Sequence, residues 1–334
     1  MAVQKKNELT ALHLASENGH VDLARMLVER SANISAQKKD GSTALHLASG
    51  NGHVDLVRML VEVGADVSTQ KKDGRTVLHS ASSYGHVNLA RLLVERGADV
   101  SAQEENGSTA LHLASRAGHV DLVRMLLGRG ADLSAQKKNG STALHLALEN
   151  GHVDLAWMLI ELSADVSSQK KNGWTALHLA SRHGHVDIAH MLVDRGADVS
   201  AQDKDGLTVL HCGSRHGHVN TARMLLDCGA DVSAKDKDGW TALHFSSRYG
   251  HVDLARMLVG RGADMSAQDK DGWTALHLAS RYGYLEFAQM LVGRGANVSA
   301  QTKDGWTVLH LASKNGHADL AQMLVECSTD TAPR

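Results

Sequence analysis

The sequence predicts an all-α solenoid, and three observations carry that prediction. His recurs on a 33-residue grid. One register is His13, His46, His79, His112, His145, His178, His211, His244, His277 and His310. A second is His20, His53, His86, His119, His152, His185, His218, His251 and His317, with Tyr284 in its one gap. Gly keeps the same grid, as at Gly41, Gly74 and Gly107 and again at Gly52, Gly85 and Gly118. Finally, a chain of 334 residues contains 31 Gly but 1 Pro, Pro333. Two ordinary domains of this length would use Pro in many different loops, so the turns here are of one repeated, Gly-punctuated kind. A period in this range means stacked units, none of which buries its apolar face alone. The repeats begin at Asn7, Asp40, Asp73, Asn106, Asn139, Asn172, Asp205, Asp238, Asp271 and Asp304, and the reading is one continuous domain over 1–334.

The elements of one repeat follow in order, taking Asp271 to Lys303. Asp271-Gly272 is a tight-turn dipeptide whose Gly supplies a positive φ. Thr274 has the chemistry of a helix N-cap. Leu276, Leu278 and Ala279 give the apolar spacing of a short helix that Gly283 stops in the left-handed conformation. A second helix is expected over Leu285 to Val292, stopped near Gly295, and an extended loop through Val298 leads to the next turn. Both helices are under three turns, too short to persist alone, so stacking on neighbours must stabilise them.

With T-A-L-H-L-A, G-H-V-D-L-A and G-A-D-V in place on that grid, the chain resembles the ankyrin repeat family from Asn7 to Thr331, ten times over. The resemblance implies a curved solenoid of helix-turn-helix units joined by β-turn or hairpin loops, with a concave face that binds proteins. Two positions depart from the family pattern. Ala or Val, as at Ala44, Val77 and Ala242, stands where the family usually has Pro. Ser, as at Ser68, Ser101 and Ser200, stands where the family often carries an Asn that is a target of hydroxylation.

Composition and motifs narrow the function. Lys plus Arg is 35 and Asp plus Glu 37, a net charge of −2, which argues against a general nucleic-acid binder. The apolar runs are too short to span a membrane, and the polar stretch Met1 to Asn7 does not read as a signal peptide; a cytoplasmic or nuclear location is expected. Cys212, Cys228 and Cys327 cannot form a disulfide framework, and Cys212 replaces a core Leu and should pack as a small apolar residue. The His grid reads as framework: a residue present in every repeat serves the repeat, and no His has a private ligand at zinc spacing. Ser, His and Asp recur everywhere, so no nucleophile is singled out as a triad requires. The expectation is a non-enzyme without cofactor or metal.

Variation between repeats carries the rest. The residue after the turn Gly reads Leu9, Ser42, Arg75, Ser108, Ser141, then Trp174, Leu207, Trp240, Trp273 and Trp306. The two residues before the inter-helix Gly read Glu17-Asn18, Gly50-Asn51, Ser83-Tyr84, Arg116-Ala117 and Glu149-Asn150. They continue as Arg182-His183, Arg215-His216, Arg248-Tyr249, Arg281-Tyr282 and Lys314-Asn315. The resemblance places these positions at hairpin tips and at exposed ends of first helices, on the concave face. Trp exposed at a tip needs an explanation, and Trp, Tyr and Arg dominate interface hot spots. A structural ladder of tip upon tip is the competing account. Loop ends read Lys-Lys, as at Lys38-Lys39 and Lys137-Lys138, or Asp-Lys, as at Asp203-Lys204, interrupted by Glu104-Glu105, and are expected to be solvated.

The function expected is non-catalytic recognition of a protein or peptide, acidic or phosphorylated, on repeats six to ten, with no nucleic acid and no membrane as partner. The alternatives are a structural spacer or sensor segment of a larger multidomain protein, and an enzyme or small-molecule site in the aromatic groove. Val3, Gln4, Lys5 and Lys6 read as the tail of a preceding repeat and Glu8 stands where others have the turn Gly. The last helix, Ala318 to Val325, lacks a polar cap, so self-association through the ends is a further expectation.

Overall fold

The computed structural model describes residues 9–330, with side chains as far as Cys327. The readings made on Val3 to Lys6 and on Glu8 lie outside the described residues. The chain divides into two compact units, Met1–Lys171 and Asn172–Arg334. The division falls at the first residue of repeat six.

Each repeat contributes two antiparallel helices. In the first unit the first helices are Ala11–Glu17, Ala44–Gly50, Val77–Ser83, Ala110–Ala117 and Ala143–Glu149. Their partners are Val21–Glu29, Val54–Glu62, Val87–Glu95, Val120–Gly128 and Val153–Glu161. In the second unit the first helices are Ala176–His183, Val209–Arg215, Ala242–Arg248, Ala275–Tyr282 and Val308–Lys314. Their partners are Val186–Asp194, Val219–Asp227, Val252–Gly260, Leu285–Val292 and Ala318–Asp330. Among the described residues there is no strand, only isolated antiparallel bridges such as Gln202 with Thr208 and Gln301 with Thr307. No described helix is long and apolar enough to cross a membrane.

Sequence spacing fixes the local geometry. The Thr before each first helix is extended and caps it; at Thr175, Thr208, Thr241, Thr274 and Thr307 the hydroxyl accepts from the N–H three residues on. That residue is the framework His, which completes a capping box with its ring where Glu or Gln is usual. Gly283 ends its helix at φ 74°. The second helix Leu285–Val292 has the predicted bounds. The last helix runs five residues beyond the expected Val325, to Asp330.

Within each unit, first helices pack on first helices and second helices on second helices of the next repeat. The second unit buries Leu210, Leu243, Leu254, Leu276, Phe287, Leu291 and Leu320 in one cluster. The first unit fully buries Leu45, Leu60, Leu78, Leu93, Leu111 and Leu126. Because each repeat supplies only half of every interface, this core extends through stacking.

Candidate protein-interaction face

All of the tip and row residues singled out by sequence lie in the second unit, and both sets of framework His hold several of them. The first set works forward. The ring Nδ1 of His244 accepts from Thr241 N–H (3.1 Å) and its Nε2–H donates to the Trp273 carbonyl of the next repeat (3.0 Å). His178 does the same to the Leu207 carbonyl (3.1 Å) and His277 to that of Trp306 (3.2 Å). The second set works backward. His218 donates to the Arg182 carbonyl (3.0 Å), His251 to that of Arg215 (3.2 Å) and His317 to that of Arg281 (3.1 Å). The invariant grid therefore pins the backbone of the positions that vary. Where Tyr284 replaces the second His, the row is tied differently: an Arg248 guanidinium N–H donates to the Tyr282 hydroxyl at 2.8 Å.

Burial keeps most of the first set neutral. It lowers His46, His112 and His211 to about 4, with weaker opposing contributions from backbone carbonyls, and it lowers His178, His244 and His277 in the same direction. Neutral rings with Nε2–H donating leave Nδ1 to accept at the cap.

The tips differ from the sequence expectation in one respect. Trp174, Trp240, Trp273 and Trp306 are half-buried, whereas Trp157, on the second helix of repeat five, is the exposed indole at 36%. Each tip indole packs against its own repeat. Its ring lies 5.9–6.1 Å from the framework His of that repeat. A cation covers it: Arg182 over Trp174 at 5.5 Å, Arg248 over Trp240 at 5.7 Å, Arg281 over Trp273 at 5.3 Å and Lys314 over Trp306 at 4.5 Å. Among the described residues no ring contact joins one tip indole to another. The ladder is built of indole and cation within repeats.

Between repeats the row is continued by tyrosines. Arg215 lies over Tyr249 of the next repeat at 5.8 Å and Arg248 over Tyr282 of the next at 5.5 Å, while Arg248 also lies over Tyr249 of its own repeat at 5.9 Å. Tyr249 remains 39% exposed. His216 stacks on His218 (6.1 Å) and His183 on His185 (6.0 Å). Burial and the neighbouring Arg182 charge hold His183 below the usual imidazole range. Arg182, Arg215, Arg281 and Lys314 are exposed at the row, and among the described residues neither they nor Arg248 form an ion pair with a carboxylate.

Sequence reasoning missed the residues that aim the tips. In repeats two to six the tip N–H donates to the turn residue two positions earlier, as Ser42 does to Asp40 and Trp174 to Asn172. In repeats seven to nine it donates four positions back: Leu207 to Asp203 (2.9 Å), Trp240 to Asp236 (2.8 Å) and Trp273 to Asp269 (2.8 Å). Thr302 plays this part for Trp306. The Asp-Lys loop ends are thus turn-organising rather than merely solvated. Their signal in the sequence was the coincidence of Asp at this position with a large apolar tip. Glu104 is likewise not a solvated loop end; it is 6% exposed and its carboxylate accepts from Arg75 Nε at 2.5 Å.

In repeat seven Cys212 is 5% exposed, as expected of a small apolar residue, and burial pushes its thiol up to about 12, so it is not a reactive thiolate. Phe245, the counterpart in repeat eight, packs 5.1 Å from Trp240 and 5.5 Å from His211.

A comparison with curated proteins finds no match. A family model described as ankyrin repeats (3 copies) matches residues 1–71, 64–137, 129–203, 198–269 and 260–333. Repeats of this kind are generally protein–protein interaction modules and typically non-catalytic. Tiled by these matches and built of stacked helix pairs on a 33-residue period, the chain belongs to the ankyrin repeat family.

Proposed function

We propose that repeats six to ten recognise an extended acidic or phosphorylated segment of a protein partner, without catalysis, on the face expected to be concave. The partner lies along Trp174, Leu207, Trp240, Trp273 and Trp306 and the row behind them, Arg182-His183, Arg215-His216, Arg248-Tyr249, Arg281-Tyr282 and Lys314. One observation carries this reading: in four repeats a cation lies over the indole of its own repeat while no carboxylate pairs with it. An Arg held over a ring face loses little further freedom on binding, and its planar fork still matches carboxylate or phosphate. The indole supplies apolar area beside that fork, the combination that anchors hot spots.

The test is an array of 15-residue peptides, acidic, phosphorylated, neutral and basic, probed with the parent chain and with Arg182→Gln/Arg281→Gln. The acidic and phosphorylated sets should be retained by the parent and lost from the variant, with binding falling as salt rises. Retention of the basic set, or equal retention by both chains, overturns the proposal in favour of a purely structural row.

A further inference from the structure

Repeat seven departs from its neighbours twice on the same face. Its tip is Leu207 among four Trp, and the fourth residue of its first helix is Cys212 where Leu179, Leu278 and Leu311 stand in repeats six, nine and ten. Both changes remove volume at one place, and a cavity of about 150 Å³ opens there, lined by Trp174, Arg182, Leu207, Cys212, Arg215 and His216. In repeat eight Phe245 occupies the position of Cys212 and packs on Trp240, so the substitution there is toward greater bulk.

The walls of this cup are fixed by one carboxylate. Asp203 Oδ2 accepts from the Trp174 indole N–H (2.9 Å) and Asp203 Oδ1 from the Leu207 backbone N–H (2.9 Å). The backbone beneath is held as well, since His178 donates to the Leu207 carbonyl and His218 to that of Arg182. The His216 ring is tied by its Nδ1–H to the Cys212 carbonyl at 3.0 Å. The indole N–H is thereby satisfied within the protein, leaving apolar surface at the wall and a thiol at the floor. Two exposed guanidiniums, Arg182 and Arg215, flank the opening without an ion pair. A preformed cavity of this size accommodates a benzene-sized apolar group, and preorganised walls lower the ordering cost of filling it.

We propose that this cup is the anchor of the partner site: it takes one leucine-sized aliphatic side chain, with acidic residues on either side of that Leu meeting Arg182 and Arg215. The proposal rests on the acidic-partner reading above and adds which side chain is read and where. Repeat seven, whose first helix carries Cys212-Gly213 where most repeats carry Leu-Ala, is on this account the specificity element of the row.

The probes are two fluorescein-labelled peptides, acetyl-Asp-Glu-Glu-Leu-Glu-Glu-Asp-amide and the same peptide with Ser for Leu, titrated by anisotropy against the full chain. The Leu peptide should bind at least about tenfold tighter, the factor that burying one Leu side chain supplies. Cys212→Leu restores the residue most repeats carry, fills the cup, and should reduce that ratio to below twofold while the Ser peptide binds as before. Cys212→Ala keeps the cup open and should keep the ratio. If both peptides bind the parent equally, the anchor is overturned while the acidic-partner reading stands. If the ratio survives Cys212→Leu, the Leu is read elsewhere and the assignment to this cup fails. If neither acidic peptide binds, the cup and the reading beneath it fail together.

Discussion

Lowering the pH from 7.5 to 5.0 should destabilise this protein strongly, through the framework His rather than the carboxylates. His46, His112 and His211 have folded values of about 4 against 6.5 for a free imidazole, because burial penalises the charged ring. Above pH 6.5 both states are neutral and stability is full. As pH falls from 6.5 toward 4 the unfolded chain binds protons that the native one does not, so stability is lost across that window. At pH 5.0 the difference is about 2 kcal/mol per ring and roughly 6 kcal/mol for the three, with His79, His178, His244 and His277 adding in the same direction. The carboxylates of Asp66, Asp99, Asp132, Asp165, Asp198 and Asp264 are held below their usual range by Ser hydroxyls, so their contributions fade only as pH drops below about 4. The two windows therefore separate. Urea unfolding followed by far-UV circular dichroism at pH 7.5, 6.0 and 5.0 measures the loss, and imidazole resonances report which rings titrate. A change below about 1 kcal/mol between pH 7.5 and 5.0, or the rings of His46, His112 and His211 titrating near 6.5, would refute the argument that burial keeps them neutral.

Trp240→Ser or Trp273→Ser should weaken binding of an array-identified peptide by about 1–2 kcal/mol in calorimetry, and Trp157→Ser should leave it unchanged; equal losses at Trp157 and Trp240 would remove the tip assignment. Gly213→Ala should stabilise the chain by about 0.8–1 kcal/mol in urea unfolding, since the added Cβ would meet only Ser181 O at 3.7 Å inside a helix. Thr221→Val should also stabilise, by about 1–3 kcal/mol, because the Thr221 hydroxyl is fully buried without a hydrogen-bond partner; a loss of stability would mean the hydroxyl is satisfied in solution. Those two defects predict a locally less stable segment, with faster amide hydrogen exchange over 205–250 than over the helices of repeat five; equal protection would show that neighbouring packing compensates for them. Gly184→Ala should be strongly destabilising, as its Cβ would lie 2.5 Å from the His218 ring at φ +72°; a midpoint within error of the parent would show that the ring moves aside at little cost.

Much of this protein is legible without coordinates because a 33-residue period samples each register ten times. Thr274 as a cap, Gly283 as a stop and Leu285–Val292 as a second helix follow from local chemistry, and local chemistry is what the chain repeats. The same sampling separates framework from variable positions, so Trp174, Trp240, Arg182 and Arg248 stand out against an unchanging background. What sequence alone left undetermined lies across the junction between repeats, where partners are 29 or 36 residues apart. That His244 grips the Trp273 carbonyl, that His218 grips the Arg182 carbonyl and that Asp203 clips Trp174 to Leu207 depend on how one unit seats upon the next. Burial is also a matter of packing, here inside one unit: a Trp at a turn tip reads as exposed until the Arg or Lys eight residues on in its own repeat is laid over the ring. Even Cys212, a single missing isobutyl group in the sequence, becomes a cup only once Trp174 and Leu207 stand on either side of it, because a cavity is a property of surfaces brought together and not of any residue that lines it.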